Sequence, residues 1–551
     1  MQDSWFNLIH QAWLPVRRKS GILSTIRPAE VVEAYSDDPI MDVEWPRADF
    51  QIASYEFLIG LLATAFSPDD HDEWLDLWEE PPSVARLDEA YDPIAKAFFL
   101  DGPGPRFLQD YSELEADLQP IERLLINAPG ESTIKQNKDL FVHRDQVAQL
   151  GRPAAAMALF ALQSWAPSGG QGNKTGLRGG GPLVTLVLPQ ENASLWQILW
   201  ANTPCGKRVT EKNMETVFPW LAPTLLSGKE KDKVRPGENA DTLQCWWGMP
   251  RRIRLEFTAV EEGYCDLTEQ KENVLVTGWR QRPHGPDYAG WIGEEYSPGV
   301  VVHPLTPAYR QKDGAEWLSL HPQPGGIHYR HWVGLVVSTR DGNRLPASMV
   351  AQWHSTRAVD CGLTRKGRLL AAGYDMDSMK ARSFVESEMP LPGAADEELR
   401  ERIDHFARCC IDGVNQVWRK LTDAVKNALF DKKNVSLFDK KNVLFDKSVF
   451  SNLQHFFISN TEGQFFELLN KVGEAEDDVF FRMAWLKTLK NAVISGFDRT
   501  VLLGPETSIG HAERIARCRR QLLAFLACSG KEGRALAQAL ELPLRERSER
   551  K

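Results

Sequence analysis

Residues 391–429 read LPGAADEELRERIDHFARCCIDGVNQVWRKLTDAVKNAL. A Pro-Gly pair breaks the chain at Pro392-Gly393. Beyond it Leu399, Ile403, Phe406, Ile411, Val414, Val417, Leu421, Val425 and Leu429 recur mostly at three- and four-residue steps. That spacing lays one apolar stripe along a long helix, and such a stripe has to be buried against other helices. Further periodic stretches lie near Leu453–Val472, Val479–Ile494 and Ile509–Leu526, the last with Ile515, Cys518, Leu522 and Phe525 on one face. Four helices of this kind predict an antiparallel bundle over residues 391–551.

Upstream the punctuation changes. Residues 1–50 read as short strands and turns anchored by Trp5, Trp13 and Pro15. Phe50 to Phe66 reads as a helix with Asp49 as its N-cap. The run from Ile52 to Phe66 is apolar but short and carries Glu56, so it is expected to be a buried helix and not a membrane span. Pro153 to Trp165 is Ala-rich and helical in pattern, and Pro182 to Pro189 (PLVTLVLP) reads as a buried strand. Residues 190–390 are rich in Trp, Pro and Gly, with strand-like runs at Gly299–His303 and Val333–Ser338. The predicted fold class is α+β: a large irregular mixed α/β domain over residues 1–390, then a four-helix bundle over 391–551. A chain of 551 residues exceeds what one core supports, which agrees with at least two domains.

The net charge is −10. Residues 391–551 hold 26 Lys and Arg against 23 Asp and Glu, so the remainder holds 39 against 52. An acidic body with a mildly basic tail argues against a free-standing DNA-binding domain and suits a subunit that shares a nucleic acid with partners. The eight cysteines form no CxxC pair and have no zinc spacing, so reduced thiols, no metal and a cytoplasmic location are expected. Asp69-Asp70-His71-Asp72 reads as a solvated turn. The N-terminus lacks a basic segment followed by an apolar stretch and does not read as a signal peptide. The repeat Leu429–Val435, recurring over Leu437–Val443, reads as a slipped duplication between two helices.

The chemistry concentrates at Ala166-Pro167-Ser168-Gly169-Gly170-Gln171-Gly172-Asn173-Lys174-Thr175-Gly176-Leu177-Arg178-Gly179-Gly180-Gly181. Glycines let a backbone come close to a ligand and expose its N–H groups, and Lys174 and Arg178 add positive charge. Lys174-Thr175 imitates the end of a phosphate-binding P-loop. The match fails, because Asn173 stands where that motif needs the Gly before its Lys, and because a P-loop follows a strand and opens a helix whereas this loop does the reverse. A nucleic-acid surface fits better than a nucleotide-hydrolysing site.

With these residues the sequence resembles the CasA family, the large subunit of the type I-E CRISPR surveillance complex, Cascade. The likeness rests on Phe160, Ala166-Pro167 and Lys174-Thr175-Gly176-Leu177-Arg178-Gly179-Gly180. Leu8-Ile9, Trp13-Leu14-Pro15-Val16-Arg17, Thr277-Gly278-Trp279, Asp341-Gly342-Asn343-Arg344, Val350-Ala351-Gln352-Trp353 and Gly373-Tyr374 follow in the family's order. The resemblance implies a non-catalytic subunit without cofactor. Its partners would be guide RNA, the other Cascade subunits, target double-stranded DNA and a separate helicase–nuclease. It would inspect the duplex for a protospacer-adjacent motif (PAM) from the minor groove and help open it.

The resemblance also assigns sites. Ser168, Gly169, Gly170, Gln171, Gly172, Asn173, Lys174 and Arg178 would face DNA, although Gln171 stands where the family has Gly. Gln352 would be a wedge between base pairs, with Ala351 and Trp353 beside it. The family's minor-groove Lys is replaced by Gln281, so Arg280 or Arg282 would take its part. Phe141, Val142 and His143 would begin a loop that contacts the RNA end of the complex. Two other readings stay open from the residues alone: a structural scaffold whose Gly-rich loop touches only protein, and an NTP-dependent nucleic-acid enzyme; a basic helix face (Arg514, Arg517, Arg519, Arg520) suits protein or nucleic acid equally.

Overall fold

The structure is a computed structural model. It describes residues 5–139, 142–165, 167, 169–170, 172–228, 232–292, 303–323, 325–377, 380–429, 447–474, 477–502 and 509–543. The chain divides into two compact units, Met1–Gly326 with Asn343–Glu388, and Ile327–Gly342 with Met389–Lys551. The class is α+β, as the sequence predicts.

The first unit opens with a three-stranded antiparallel sheet of β1 (Leu14–Arg18), β2 (Leu23–Ile26) and β3 (Ile40–Val43), with β1 central. Helix α1 (Ala48–Ala65) is buried around almost its whole circumference, which is why its sequence is apolar on every face. Phe57 on α1 is the hub of an aromatic core and meets Phe98, Phe107, Phe160 and Trp247 edge-on at 5.6–6.2 Å between centroids. Asp49 is not the cap expected of it. The N-cap is Arg47, and Asp49 lies inside the helix, buried, accepting from Arg47 Nη2 at 2.7 Å and from the Tyr374 hydroxyl at 2.5 Å.

Helix α2 (Arg152–Trp165) packs on α1. The Gly-rich loop follows, then the fully buried strand β4 (Val184–Leu188) and helix α3 (Leu195–Ala201). Strands β5 (Arg252–Tyr264) and β6 (Lys271–Arg282) form a long hairpin with bulges at Glu256/Phe257 and Ala259/Gly263. Helix α4 (Ser348–Gln352) packs on β4. Strand β4 pairs antiparallel with β7 (Gly367–Asp377), whose other edge takes β8 (Lys380–Leu391).

In the second unit α5 (Glu397–Leu429) carries the predicted stripe: Ile403, Phe406, Ile411, Val414, Val417, Leu421 and Val425 are all buried. Around it pack α7 (Glu462–Lys471), α8 (Val479–Leu502), α9 (Ile509–Leu526) and α10 (Gly530–Ala539). The stretch read as one helix over Leu453–Val472 is two, α6 (Lys447–Ser459) and α7. Thr461 sits at the break, its buried hydroxyl satisfied by Phe457 O at 2.7 Å and the Tyr329 hydroxyl at 2.8 Å. Helix α10 adds to the four expected, and Gly413 makes room for it: a Cβ there would lie 2.5 Å from Leu540 Cδ2. Val333–Ser338 is not a strand but an irregular turn, with Gly334 at φ 104° and one isolated bridge between Val333 and Val337. Residues 299–302 and most of the LFDKKNV repeat lie outside the described residues.

Candidate nucleic-acid interface

The Gly-rich loop leaves the end of α2 and feeds β4, the order that excludes a P-loop. Its neck is closed by Gly181 N donating to Trp165 O at 2.6 Å. Its base is held by Arg178, which the sequence assigns to a DNA surface. The structure corrects that assignment. Arg178 is 3% exposed and forms an ion pair with Glu56 of α1. Its Nη1 also donates to Thr306 Oγ1 at 3.1 Å, and Trp165 Nε1 donates to Glu56 at 3.2 Å. His303, fully buried beside the pair, is held neutral: burial first, and then the Arg178 charge, push its ring well below the usual imidazole range. A cation so enclosed anchors the loop and offers no charge to a ligand.

The tip is different. Gly169 N donates to Asn173 O and Asn173 N to Gly170 O, each at 3.2 Å, and Asn173 Nδ2 returns to Gly169 O at 2.9 Å. This small turn is tied to the end of β6 and the chain just after it. Gln281 Nε2 donates to Asn173 Oδ1 at 2.6 Å, and His284 N donates to Gly172 O at 2.7 Å. Arg251 donates to Pro167 O. Gly172 has φ +79°, and a Cβ there would lie 2.7 Å from Pro283 Cβ, so only Gly fits. A Cβ on Gly170 would meet nothing within 4 Å. Gly169 and Gly170 are exposed. The result is a rigid base under an open backbone tip. Ser168 and Gln171 lie outside the described residues.

Lys174 is half-exposed and reaches Asp287 Oδ2 at 2.8 Å, so its charge is shared with a carboxylate. Of the two arginines around Gln281, Arg280 is committed: it donates to Ala116 O at 2.6 Å and lies 3.4 Å from Glu256. Arg282 is exposed and, among the described residues, has no carboxylate partner. It is the cation of this strand end still available to a ligand.

Ala351 is half-buried and Gln352 exposed, at the C-terminus of α4. The helix then widens into a π-helical turn, Trp353–Arg357, a local geometry common at functional positions. Trp353 is fully buried against Trp78 at 5.8 Å between centroids, so its placement among the DNA-contacting residues is corrected: it packs in the core. Arg357, one turn on, is buried over the Trp74 ring at 4.2 Å and donates to Ala201 O at 3.0 Å. The widened turn therefore points two large side chains inward and leaves Gln352 outside. Among the described residues no hydrogen bond joins Gln352 to the Gly-rich loop; they share only β4, on which α4 packs and into which the loop runs.

Val142 and His143 are exposed, and Phe141 lies outside the described residues. Arg144 pairs with Asp139 at 2.5 Å, chiefly a side-chain hydrogen bond that holds the carboxyl far below its usual range. Asp70 caps helix His71–Glu79 by accepting from Glu73 N, and His71 lies 2.8 Å from Asp360. Of the basic face on α9, Arg519 pairs with Asp498 at 2.8 Å and Arg514 donates to Ala428 O at 3.0 Å, while Arg517 and Arg520 are exposed.

Three features escaped the sequence. Arg251 lines a cleft of about 510 Å³ behind the loop tip, and burial alone pushes its guanidinium down to about 10. Gln281 and Asn173 clamp the tip. In the second unit His405, Cys409 and Glu541 bring a nitrogen, a sulfur and an oxygen within 4.8 Å of one another, a grouping whose only sequence signal is the four-residue step from His405 to Cys409. Arg340 already reaches into it, donating to Cys409 Sγ at 2.9 Å and to Glu541 at 3.3 Å. Among the described residues every cysteine is unpaired, and no helix is long and apolar enough to cross a membrane.

A mixed α/β unit carrying a Gly-rich loop, with a separate helical unit, defines the class of protein. The chain belongs to the CRISPR-associated protein Cse1 family, whose model matches residues 7–495. Solved structures share the fold at low identity. CasA (Cse1) of Thermus thermophilus is 18% identical with a TM-score of 0.67, covering 95% of this chain and 99% of that one. Cse1 of Acidimicrobium ferrooxidans is 16% identical with a TM-score of 0.66, covering 98% and 99%. A chain of a CRISPR RNA-guided surveillance complex is 16% identical with a TM-score of 0.65, covering 94% and 99%.

Proposed function

We propose that this chain is the large, non-catalytic subunit of an RNA-guided CRISPR surveillance complex of type I-E. In that complex it inspects duplex DNA for the PAM, helps open the duplex, and offers a docking surface to a helicase–nuclease. Membership of the Cse1 family, and likeness in fold to a chain of such a complex, support the assembly. The observation that carries the inspecting role is the loop tip, an exposed Gly169-Gly170 backbone held rigid by Gln281, His284 and Arg251.

A narrow groove admits backbone where side chains clash, and a pre-ordered loop loses little entropy on binding. In this reading Ser168 to Asn173 enter the minor groove. Arg282 supplies the cation, and Lys174 joins it by exchanging Asp287 for a phosphate. Gln352 is the wedge, with Ala351 behind it. Arg280, Trp353 and Arg178 act as supports. Val142 and His143, with Phe141, meet the RNA end.

The test is target-DNA binding by the assembled complex with Gln352→Ala and Lys174→Ala combined. A loss on duplexes with and without a PAM is expected, larger for the PAM-bearing one, because the phosphate contact is independent of sequence and the wedge acts beside the PAM. Unchanged binding would refute the assignment.

A further inference from the structure

We propose that the cleft behind the loop tip is a binding site for a phosphate group, carried by a nucleotide or by a nucleic-acid strand, with Arg251 as its main ligand. The inference goes beyond duplex inspection and stands whether or not the tip enters a groove.

The cleft holds about 510 Å³, and its wall includes Arg123, Arg251, Gln119, Asn173, Trp279 and Gln281. Two arginines line it and, among the described residues, no carboxylate does. That is unusual in a chain of net charge −10. Arg251 is 8% exposed, and among the described residues its Nε has no hydrogen-bond partner. Its backbone is fixed from both sides by Gln163, with Arg251 N donating to Oε1 at 3.0 Å and Nε2 donating to Arg251 O at 2.9 Å. Among the described residues the one bond of its guanidinium goes to Pro167 O of the loop.

Burying a cation without a counter-charge is costly, and the cost is offset when an anion binds beside it. Another enclosed cation without a carboxylate partner among the described residues, Arg357, is compensated differently, by the face of Trp74 and the Ala201 carbonyl. Arg251 has no such ring, only the cleft. Gly169 keeps that position open, because a Cβ there would lie 2.8 Å from Arg251 Nη1. The amides of Gln119, Asn173 and Gln281 add neutral donors and acceptors around a guanidinium whose planar fork matches phosphate oxygens.

The experiment is calorimetric titration of the full chain with inorganic phosphate, with AMP, and with a single-stranded RNA pentanucleotide. Binding of at least one is expected, weakened about tenfold to a hundredfold by Arg251→Gln, as loss of a charge-assisted hydrogen bond implies. Asn173→Asp, on the exposed loop, places a carboxylate against the site as an internal competitor. It is expected to weaken binding while circular dichroism stays unchanged, and it decides the matter if Arg251→Gln does not fold. Binding of phosphate and AMP supports the site and assigns it to a free ligand; binding of the pentanucleotide alone supports it and assigns it to a strand. Absence of binding by all three at millimolar concentration, or affinity unaltered by either substitution, overturns the proposal.

Discussion

Arg178 separates two accounts of the Gly-rich loop, because an anchor and a DNA contact respond oppositely to its loss. Arg178→Met removes a guanidinium that is 3% exposed and leaves Glu56, 1% exposed, with Trp165 Nε1 as its remaining donor. Breaking a buried ion pair from one side costs about 3–5 kcal/mol, since the surviving charge is stranded in a poor solvent. Glu56→Gln strands the guanidinium instead and is expected to cost a similar amount. The double variant Glu56→Gln/Arg178→Met strands neither charge, so its cost falls below the sum of the two by about 0.5–3 kcal/mol. Denaturant unfolding followed by tryptophan fluorescence reads all three. If Arg178→Met costs less than about 1 kcal/mol, the level of an exposed pair, and yet lowers DNA binding, Arg178 is a surface contact and the anchoring argument is wrong.

Other outcomes follow from the same geometry. Lys174→Ala removes only a half-exposed pair and is expected to cost less than about 1 kcal/mol in the same unfolding assay. A loss of DNA binding in that variant then reports on contact, not on folding. Gly172→Ala forces φ +79° on a residue with a Cβ and is expected to cost about 1–2 kcal/mol from backbone strain alone. It also displaces the tip from Pro283, read as lost binding of PAM-bearing duplex by the complex. Trp353→Ala empties a fully buried site and is expected to destabilise by about 3–5 kcal/mol, an effect a base-stacking tryptophan would not show. His328, pushed down to about 2 by burial and then by His331 and Arg330, stays neutral in the fold while the unfolded chain takes up a proton below about 6.5. Stability is thus complete above that pH and falls below it, by about 2 kcal/mol between 6.5 and 5. His328→Gln is expected to flatten that slope in denaturant midpoints measured from pH 5 to 7, and an unchanged slope would remove His328 as its source.

Periodicity made the helical unit legible, because a stripe at Ile403, Phe406, Val414, Val417 and Leu421 has one physical explanation. The break at Thr461 was not legible, since it depends on a hydroxyl bonding Tyr329, far away in sequence. The Gly-rich loop announced itself by composition, and its place between helix and strand was readable. Which of its cations is free was not. One signal was available: Glu56 alone in an apolar run requires a buried cation, and Arg178 supplies it. Nothing in the sequence foretells the π-helical turn that buries Trp353 and exposes Gln352, because that turn is fixed by what Trp78 and Trp74 present from another helix.

The buried partners bear on the duplex-inspecting role proposed for the loop. Glycine-rich segments have high conformational entropy, and ordering them on contact with DNA would erode affinity. Here the ordering is done by the fold: Arg178 fixes the base, while Gln281, His284 and Arg251 fix the tip. Three of those four contacts come from residues 251–284, the hairpin that ends in Arg282. Loop tip and Arg282, the cation proposed for the minor groove, are therefore set by one piece of backbone. If the proposed role holds, Gln281→Ala, which frees Asn173 Oδ1, shifts the tip relative to Arg282 and is expected to degrade discrimination between PAM and non-PAM duplex more than total affinity, whereas Arg282→Ala is expected to lower affinity for both.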